Sequence, residues 1–438
     1  MTGRVDLLVV GAGAAGCVVA ARAAEAGLDV VVLEAGGRRA SRRACVLDVG
    51  PDSEVVARYP AELDGRTVVL PRGRTVGGSG AVNGGYCSAT PPADLAGWGP
   101  DWPRRYAVGL ARAAERLRPR LVPADPVARW VSAAFPGRGV DVAQARHGDR
   151  RVTAADAWDP AAAGARVLTG APVRELRWAG GHAGGTCDGV VLADGREFAA
   201  REVVLCAGAL GTAALLLRSG IGPATGHPVG RRTEEHPEVL LDLDPGVAPA
   251  TTVRESAPDP GQAPPALLSR VVRLPVPVGG AVAEVEVRPY SVPLHRAIPG
   301  LAPQPHRIGI ALMTPAGRGE LRPDTDPDPG PDPAAGGGLR VVLDAHPDPA
   351  DAAALAAATG IVCDRLGLAG EPVASTSQHL SGSARMGEVV DDAGRVLGVA
   401  GLRVADASVL PALPRRGPYY TVLAVAEDLA AHAIAGRA

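Results

Sequence analysis

Three glycines near the start of the chain have the spacing that holds phosphate groups. Gly11, Gly13 and Gly16 form the pattern G-x-G-x-x-G. In this pattern the first glycine permits a tight turn, the second lets the backbone approach a pyrophosphate, and the third lets a helix lie close to a strand. The phosphates then lie at the helix N-terminus, where N–H groups and the helix dipole attract anions. The chemistry predicted for these residues is dinucleotide binding.

An acidic residue further along indicates which dinucleotide is bound. Glu34 follows the glycines by about 20 residues, at the distance where a carboxylate accepts hydrogen bonds from the two hydroxyls of a ribose. The same carboxylate would repel a phosphorylated ribose. FAD or NAD is therefore favoured over NADP.

Two apolar runs of strand length position these residues. Val5–Val10 precedes the glycines and Leu28–Leu33 ends at Glu34, so the segment predicts a strand, a glycine turn, a helix and a second strand. A signal peptide or a membrane span is the competing interpretation. Asp6 and Arg22 bracket only about 15 apolar residues, too few to span a bilayer, and the glycines weaken the apolar helix that a signal peptide needs.

The composition limits the class of protein. A chain of 438 residues can form two or three domains, of which we expect two, and a formal net charge of −2 gives no reason to expect nucleic-acid binding. The six cysteines form no C-x-x-C pair, so free thiols are predicted, with no metal site and no disulfide framework. We expect a soluble cytoplasmic chain without a transmembrane segment, and docking at the inner membrane face stays open.

Glycine content and periodicity divide the rest of the chain. Pro71–Gly85 is so rich in glycine that its backbone is expected against the cofactor, and Arg201–Ile221 again has the pattern of a strand, a glycine turn and a helix. Apolar and polar residues alternate in Gly280–Val287 and Ile308–Met313, which predicts an antiparallel sheet with one face in water. The Pro-, Asp- and Gly-rich tract 322–338 is predicted to be a mobile surface loop.

Several separated motifs together resemble one family, the FAD-dependent GMC (glucose, methanol and choline) oxidoreductases. The resemblance covers nearly the whole chain and is carried by the N-terminal fingerprint, Gly73-Arg74-x-x-Gly77-Gly78-Ser79 with Asn83, Arg151-x-x-Ala154-x-x-Ala157, Ala207-Gly208-Ala209, Ser219-Gly220-Ile221-Gly222, His236, Gly317-Arg318-Gly319, His379-x-x-Gly382-Ser383-Ala384-x-Met386-Gly387 and Arg403-Val404-Ala405-Asp406-Ala407-Ser408. Within the family, Val76–Trp98 resembles the subgroup associated with mycofactocin, a peptide-derived redox cofactor.

The resemblance implies an α/β fold, in which a Rossmann-like FAD-binding domain carries an inserted α+β substrate domain built on an antiparallel sheet. The FAD-binding domain is expected at 1–95, 150–229 and 375–438, and the substrate-binding domain at 96–149 and 230–374. Further helices are predicted at Ala107–Leu117, Pro126–Phe135, Asp351–Leu366 and Tyr419–Ala435, and further strands within Ala165–Trp178, in a hairpin over Gly189–Phe198, and at Leu402–Ala405.

FAD is the implied cofactor. The residues expected to bind it are Gly11, Gly13, Ala14, Ala15, Gly16, Glu34, Ala35, Arg72, Gly77, Gly78, Ser79, Asn83, Gly84, Gly85, Val173, Ala207, Gly208, Asp406, Ala407, Pro418 and Tyr419.

His379 matches the family histidine that faces flavin N5. An imidazole there can take the proton of an alcohol as hydride leaves the adjacent carbon, which helps because an alkoxide expels hydride far more readily than an alcohol does. His236 also matches a family position, and we expect it to make a structural polar contact. The other histidines carry no motif.

The chain departs from the family pattern near its C-terminus. A second His or Asn, which helps to bind the substrate oxygen, is replaced by Gly417. Losing one hydrogen bond to a developing alkoxide can weaken catalysis by roughly a few kcal/mol. Three interpretations stay open: Arg416 or Tyr419 replaces the lost group, the space admits a bulky substrate, or the donor has a more acidic hydroxyl; the sequence favours none of these.

The resemblance implies an FAD-dependent dehydrogenase acting on CH–OH groups. Its implied donor is a small-molecule or modified-peptide redox substrate, the reduced alcohol form of mycofactocin, and its implied acceptor is a quinone or a respiratory-chain component. A general alcohol dehydrogenase or oxidase of the family, a lyase with structural FAD, and a non-catalytic flavin-binding protein are the alternatives.

Overall fold

The computed structural model describes residues 3–38, 46–181, 184–243, 266–323 and 338–436. Most of the predicted mobile loop 322–338 lies outside these ranges, as does Cys45. In the part of the chain that the structure describes, every helix is too short or too polar to cross a bilayer. Within the same ranges, His, Cys, Asp and Glu side chains nowhere form a group of three that could hold a metal ion. Cys17, Cys87, Cys187, Cys206 and Cys363 are free thiols.

Helices and strands alternate along the first half of the chain, and strands dominate the second half. The strands are Val5–Val10 (β1), Val30–Leu33 (β2), Val56–Leu63 (β3), Arg66–Gly73 (β4), Arg120–Leu121 (β5), Gly139–Asp141 (β6), Ala143–Gln144 (β7), Arg146–His147 (β8), Arg150–Arg151 (β9), Arg166–Leu168 (β10), Val173–Trp178 (β11), Cys187–Leu192 (β12), Glu197–Leu205 (β13), Pro237–Asp242 (β14), Arg270–Val278 (β15), Ala281–Pro289 (β16), Arg307–Leu312 (β17), Arg318–Pro323 (β18), Leu339–His346 (β19), Val373–Thr376 (β20) and Leu402–Val404 (β21). The helices are Ala14–Glu25 (α1), Ser79–Val82 (α2), Pro92–Leu95 (α3), Trp102–Leu117 (α4), Pro126–Ala134 (α5), Ala154–Ala157 (α6), Gly208–Arg218 (α7), Leu294–Ala297 (α8), Pro349–Leu366 (α9) and Tyr419–Ala435 (α10).

A parallel sheet positions the dinucleotide fingerprint. Its strands lie in the order β10, β2, β1, β13, with β21 beside β13. Strands β1 and β2 are buried over most of their length, as are β21 and the last three residues of β13, which explains the apolar runs in β1, β2 and the end of β13. The loops that follow these strands therefore meet at one edge of the sheet, where ligands of such sheets bind.

One long strand joins this parallel sheet to an antiparallel hairpin. The sequence predicts a short hairpin strand at Glu197–Phe198 and a separate strand from Arg201, but β13 runs through both. Its first residues pair antiparallel with β12, and Ala200–Leu205 pairs parallel with β1. The prediction was wrong here because β13 continues without interruption while its pairing partner changes from β12 to β1.

The predicted antiparallel sheet is also present. Six strands lie in the order β20, β14, β17, β16, β15, β6, and every neighbouring pair is antiparallel. One face packs its valines, isoleucines and leucines against α5 and α9. The other face carries Glu238, Arg273, Glu284, Glu286 and Arg288.

The prediction that this second face lies in water is wrong. Glu238, Glu286 and Arg288 are 3%, 7% and 6% exposed. They are buried together because Arg288 forms ion pairs with both carboxylates, at 2.8 Å to Glu238 and 2.9 Å to Glu286. The alternation of polar and apolar residues therefore correctly indicates a polar and an apolar face of this sheet, but it does not show that the polar face is in contact with water.

Most helix ends lie close to their predicted positions, and the start of α4 does not. The last helix, α10, has the predicted bounds Tyr419–Ala435. Helix α9 begins after Asp348, whose carboxylate accepts a hydrogen bond from the N–H of Ala350 at 2.8 Å. Helix α4 begins at Trp102, five residues before the predicted start at Ala107, with a proline in its first turn, where the absent proline N–H leaves no hydrogen bond unmade.

A four-stranded sheet joins distant parts of the chain. Its order is β18, β19, β3, β4, so two strands before residue 95 pair with two strands after residue 317. Strands β19 and β3 are parallel. The predicted division into domains at 1–95, 150–229 and 375–438, and at 96–149 and 230–374, stays a prediction.

A buried carboxylate connects α10 to α1 and to the end of α6. Glu427 accepts two hydrogen bonds from the guanidinium of Arg22, at 2.9 and 2.8 Å, and a third from the indole N–H of Trp158 at 2.8 Å. The Glu427 side chain is fully buried and Trp158 is 0% exposed. Removing the carboxylate leaves the buried indole N–H of Trp158 without this acceptor and leaves Arg22 with only its surface contact to Glu25.

We expect Glu427→Ala to lower the free energy of unfolding by about 3–5 kcal/mol, the usual effect of breaking a buried ion pair. Glu25→Ala is the matched control, because Glu25 pairs with Arg22 and Arg116 at the surface, with 34% of its side chain exposed, and should change stability by about 1 kcal/mol or less. Urea unfolding of the holoenzyme followed by tryptophan fluorescence measures both. An equal loss of unfolding free energy in the two variants would contradict a stabilising role for the buried contacts of Glu427.

Candidate active site

The predicted cofactor residues come from several parts of the chain, and many of them directly follow strands of the parallel sheet. They lie in the β1–α1 turn (Gly11, Gly13, Ala14, Ala15, Gly16), after β2 (Glu34, Ala35), at the end of β4 and in the following loop and α2 (Arg72, Gly77, Gly78, Ser79, Asn83, Gly84, Gly85), at the start of β11 (Val173), in the β13–α7 turn (Ala207, Gly208), after β21 (Asp406, Ala407) and at the start of α10 (Pro418, Tyr419).

Two glycine loops meet backbone to backbone. The N–H of Gly77 donates to the carbonyl of Ala12 at 2.7 Å, and a Cβ on Gly78 would lie 2.7 Å from the Cα of Gly13. A Cβ on Gly16 would lie 2.0 Å from the carbonyl oxygen of Gly11, so this helix can approach its strand only with glycine there. The glycines at these positions are required by packing as well as by a ligand.

The structure fits the cofactor that the sequence implies. Helix α1 begins after Gly13 without a side-chain cap, so no side chain satisfies the N–H groups of its first turn. Gly208 has a φ of +77° and a Cβ there would meet nothing within 4 Å, so the backbone of the β13–α7 turn is bare on that side. A pyrophosphate is the group that the uncapped N–H groups at the start of α1 would bind, whereas the N–H of Gly208 already donates to Asp406.

Two of the predicted acidic residues are already engaged with the protein. Asp406 accepts four hydrogen bonds, from the N–H of Gly208, the hydroxyl of Thr212, and the N–H and hydroxyl of Ser408, at 2.8, 2.6, 2.8 and 2.6 Å. Glu34 accepts from the N–H groups of Ala12 and Gly36, both at 2.9 Å. Burial raises the pKa of both carboxyls, and these hydrogen bonds oppose it. A carboxylate can accept about four hydrogen bonds. The Asp406 side chain has therefore no acceptor position left for a cofactor, whereas the Glu34 carboxylate can still accept hydrogen bonds from a ribose.

His379, which is half-buried, lies beside a second histidine that is fully buried. It follows β20, and His236 directly precedes β14. The two Nδ1 atoms are 2.9 Å apart and the rings meet edge to face, at 86°. The sequence predicted only a structural polar contact for His236 and gave it no place in the site.

A buried glutamate holds both histidine backbones. Oε1 of Glu235 accepts from the N–H of His379 at 2.7 Å and from the N–H of His236 at 2.9 Å. Burial raises the pKa of Glu235 to about 6, against the effect of Arg72 and of the two N–H groups. Sequence reasoning missed Glu235 and the pairing of His236, although a Glu-His pair directly before a strand was the available signal.

Arg72 lies at this histidine pair. Its guanidinium donates to the side-chain carbonyl of Gln378 at 2.6 Å, next to His379 in the chain, and its charge acts on Glu235. Burial lowers the pKa of Arg72. The prediction placed Arg72 among cofactor residues, and the contacts described here connect it to the catalytic candidate.

Both imidazoles are held neutral. Burial is the main cause that lowers the pKa of His379 well below 6.5, and the nearby His236, Arg288 and Arg72 lower it further. Burial also lowers the pKa of His236, assisted by Arg288 and Arg416. A neutral imidazole has one nitrogen free to accept a proton, which is the state that a general base needs.

Gly417 lies against the ring of His379. A Cβ at this position would be 3.4 Å from both Cε1 and Nε2 of His379. The family pattern has a side chain at this position, which would lie beside Cε1 and Nε2 of His379, whereas Nδ1 of that ring faces His236. The predicted departure falls at the site itself.

The contacts of Arg416 and Tyr419 in the described part of the chain do not direct either side chain to the space beside Gly417. The guanidinium of Arg416 contacts the carboxylate of Glu284, and Arg416 is 7% exposed. The ring of Tyr419 lies on Gly80, and its hydroxyl is buried without a hydrogen bond. Burial, with Cys87 nearby, raises the pKa of that phenol, so it stays protonated. Their roles as substrate-oxygen contacts stay predictions.

The chain matches known proteins over its length. The N-terminal profile of GMC oxidoreductase covers residues 5–116 and 110–238, and the C-terminal profile covers residues 337–426. An uncharacterized GMC-type oxidoreductase in the thcA 5' region of Rhodococcus erythropolis is 32% identical, over 97% of each chain.

Solved structures share the fold. Pyridoxine 4-oxidase from "Mesorbium loti" superposes with a TM-score of 0.76 at 23% identity, over 98% of this chain and 99% of that one. A fungal aryl-alcohol oxidase superposes with a TM-score of 0.76 at 19% identity, over the full length of both. The family matches, the paired glycine loops and the neutral histidine lead to one conclusion: the chain belongs to the GMC oxidoreductases, and it is an FAD-dependent oxidoreductase.

Proposed function

We propose that this protein is a dehydrogenase that oxidises an alcohol donor, with His379 as the base that takes the hydroxyl proton. One observation carries the proposal: His379 is neutral, half-buried and adjacent to the bare backbone of Gly417. A base of this kind typically contributes a rate factor of about 10²–10⁴.

Bound FAD would supply the hydride acceptor at N5. The residues proposed to hold it are those of the two glycine loops and the bare turn at Gly208, with Glu34 at the adenosine ribose. Uncapped backbone N–H groups favour a diphosphate there. His379 would hold the donor hydroxyl through its Nε2 atom and keep the abstracted proton while the carbonyl forms.

The reduced, alcohol form of mycofactocin is the donor that we propose. The support is the resemblance of Val76–Trp98 to the mycofactocin-associated subgroup, together with the room that Gly417 leaves at His379. We propose a quinone or respiratory-chain component as the electron acceptor, and a cytoplasmic location with contact at the inner membrane face. The two-domain division given by the sequence belongs to the same proposal.

The histidine assignment predicts the outcome of anaerobic flavin reduction. Mixing the holoenzyme with reduced mycofactocin should bleach the flavin absorbance, and His379→Ala should slow bleaching by about 10²–10⁴. His346→Ala, which alters an exposed histidine at the end of β19, is the matched control and should react at the native rate. Full speed in His379→Ala would remove His379 as the base. Rapid bleaching by a simple alcohol, with none by mycofactocin, would assign a general alcohol dehydrogenase instead.

The pH dependence follows from the lowered pKa of His379. Because the folded-state pKa lies well below 6.5, the base form persists as pH falls through 6.5 and is lost only below it. The acid limb of kcat/KM should therefore lie below pH 6.5, with a plateau from there towards neutral pH. Stopped-flow measurement with a pH-insensitive donor provides the profile. An acid limb centred at pH 7 or above would contradict a His379 imidazole that is neutral at pH 6.5.

The room at Gly417 predicts a size-dependent effect of a new side chain. Gly417→Asn places atoms beside His379, so turnover of the bulky donor should fall about tenfold or more, as overpacking of a filled site does. Small alcohols should react at least as fast as with the native enzyme. Gly360→Asn is the control, because a Cβ at this glycine of α9 meets nothing within 4 Å. Loss of small-alcohol activity together with the bulky one would contradict the assignment of Gly417 to donor size.

A further inference from the structure

The strand that carries His379 has extra residues opposite its partner strand. Strands β20 and β14 are paired up to Thr376 and Pro237, and antiparallel pairing resumes between Ser381 and Glu234, whose backbone groups exchange hydrogen bonds of 3.0 and 3.1 Å. Four residues of one strand, 377–380, therefore lie opposite only two of the other. Extra residues of this kind form a β-bulge, and bulges beside active sites redirect a side chain. We call residues 377–380 the His379 bulge.

Side chains replace the regular strand partners inside the His379 bulge. The N–H of Gln378 donates to the hydroxyl of Thr376 at 3.2 Å, and the N–H of His379 donates to Oε1 of Glu235 at 2.7 Å. Neither acceptor is a backbone carbonyl of the neighbouring strand. The position of the His379 imidazole therefore depends on the conformation of the bulge and not on the regular ladder of the sheet.

Gln378 has a backbone conformation that is unfavourable for its residue type. Its φ is +64°, in the left-handed region. Among the described residues other than glycine, Asp64 and Arg118 share this conformation. Asp64 lies in the turn between β3 and β4, and Arg118 directly follows α4, where left-handed residues are common. Gln378 lies at neither kind of position, and a residue in such a conformation persists only where its surroundings hold it.

A hydrogen bond from Arg72 holds the side chain of Gln378. Gln378 is exposed, so packing does not fix it. Nη1 of Arg72 donates to Oε1 of Gln378 at 2.6 Å and to the carbonyl of Pro71 at 3.0 Å. The charge of the donor makes such a hydrogen bond stronger than one between two neutral groups. Arg72 lies at the end of β4, which leads into the glycine loop of Gly77 and Gly78. The contact therefore joins the His379 bulge to the element expected to hold the cofactor.

We propose that Gln378 is a positioning residue: its side-chain carbonyl, held by Arg72, maintains the left-handed turn of the His379 bulge and so directs the imidazole of His379 towards the donor. The inference rests on the proposed role of His379 as base. Gln378 gains and loses no proton in the reaction, because the donor hydroxyl gives its proton to His379. Arg72 keeps the histidine at a fixed distance from the glycine loop that would carry the flavin.

Two variants of similar length separate the hydrogen bond from the bulk of the side chain. Gln378→Glu keeps an oxygen that accepts from Arg72, whereas Gln378→Met removes the acceptor. The maximal rate of anaerobic flavin reduction is measured with whichever of reduced mycofactocin or benzyl alcohol bleaches the native flavin. It should fall about 10²-fold in Gln378→Met, the usual effect of a displacement of about 1 Å, and should stay within about tenfold of native in Gln378→Glu.

The donor concentration that gives half the maximal rate should be the same in both variants and in the native enzyme, since Gln378 acts through His379. A native maximal rate in Gln378→Met, or a change confined to the half-saturating donor concentration, would overturn the proposal.

A glycine variant separates positioning from backbone strain. Glycine adopts a positive φ without penalty, so Gln378→Gly relieves the backbone and removes the acceptor. Arg118→Gly is the matched control, because Arg118 is exposed, has a φ of +48° and directly follows α4. Gln378→Gly should reduce its flavin about tenfold or more slowly than native, and Arg118→Gly should react at the native rate. Native rates in both variants would overturn the proposal. Thermal unfolding and the bound-flavin spectrum verify that each variant is folded and loaded with FAD.

The position of the imidazole can be followed without turnover. Histidine-selective ¹³C spectra of the holoenzyme, assigned with His379→Ala, report the surroundings of the His379 ring. Its Cε1 signal should keep the native chemical shift in Gln378→Glu and should move in Gln378→Met. An unchanged His379 signal in Gln378→Met overturns the proposal.

The outcomes also separate this inference from the proposed function. If His379→Ala is slow and Gln378→Met is as fast as native, His379 remains the base and Gln378 loses its positioning role. If His379→Ala keeps full activity, the proposed function fails, and the ¹³C spectrum then decides whether Gln378 positions the ring.

Discussion

Oxygen Oε1 of Glu235 sets the geometry of the pair formed by His236 and His379. It accepts hydrogen bonds from the backbone N–H groups of His236 and His379, which belong to segments 143 residues apart. Backbone groups cannot change rotamer. Two such hydrogen bonds to one oxygen therefore set the distance between the two segments that carry the imidazoles. The 2.9 Å contact between the rings is a result of that separation. The carboxylate is kept by burial from exchanging these partners for water.

The antiparallel sheet supplies the electrostatic surroundings of this pair. Burial by itself would lower the pKa of Arg288, but Glu238 and Glu286 raise it, so the guanidinium stays charged. Arg288 also donates to the hydroxyl of Ser377 at 2.7 Å, two residues before His379. Arg288 pairs with Glu238 and Glu286, which lets these charged side chains remain buried. The positive charge of Arg288 also lowers the pKa of both histidines and so favours their unprotonated form. Packing and basicity are thus set by the same side chains.

The sequence predicted local elements well and partnerships between elements poorly. Helix α10 could be bounded from its own residues, and the roles of Gly11 and Gly16 followed from one contiguous turn. The position of Gly417 was found because the chain departs from a family pattern at one residue. His236 was missed as a partner because the Glu235-His236 pair before β14 marks a polar strand end without indicating which distant residue it contacts. The alternating strands of the antiparallel sheet were predicted correctly, but their polar face was assigned to water, since periodicity separates faces without saying what covers them.

The four-stranded sheet has a consequence for how the protein is made. Strands β3 and β4 leave the ribosome early, and β19, which must lie beside β3, follows much later; Arg340 and Glu62, which pair across them, are 278 residues apart. At 5–20 residues per second, that separation is roughly a quarter of a minute to a minute of synthesis. During this time the edge of β3 presents unpaired N–H and C=O groups, which other strands can capture. The nascent chain therefore needs protection at this hairpin until nearly four-fifths of the protein has been translated.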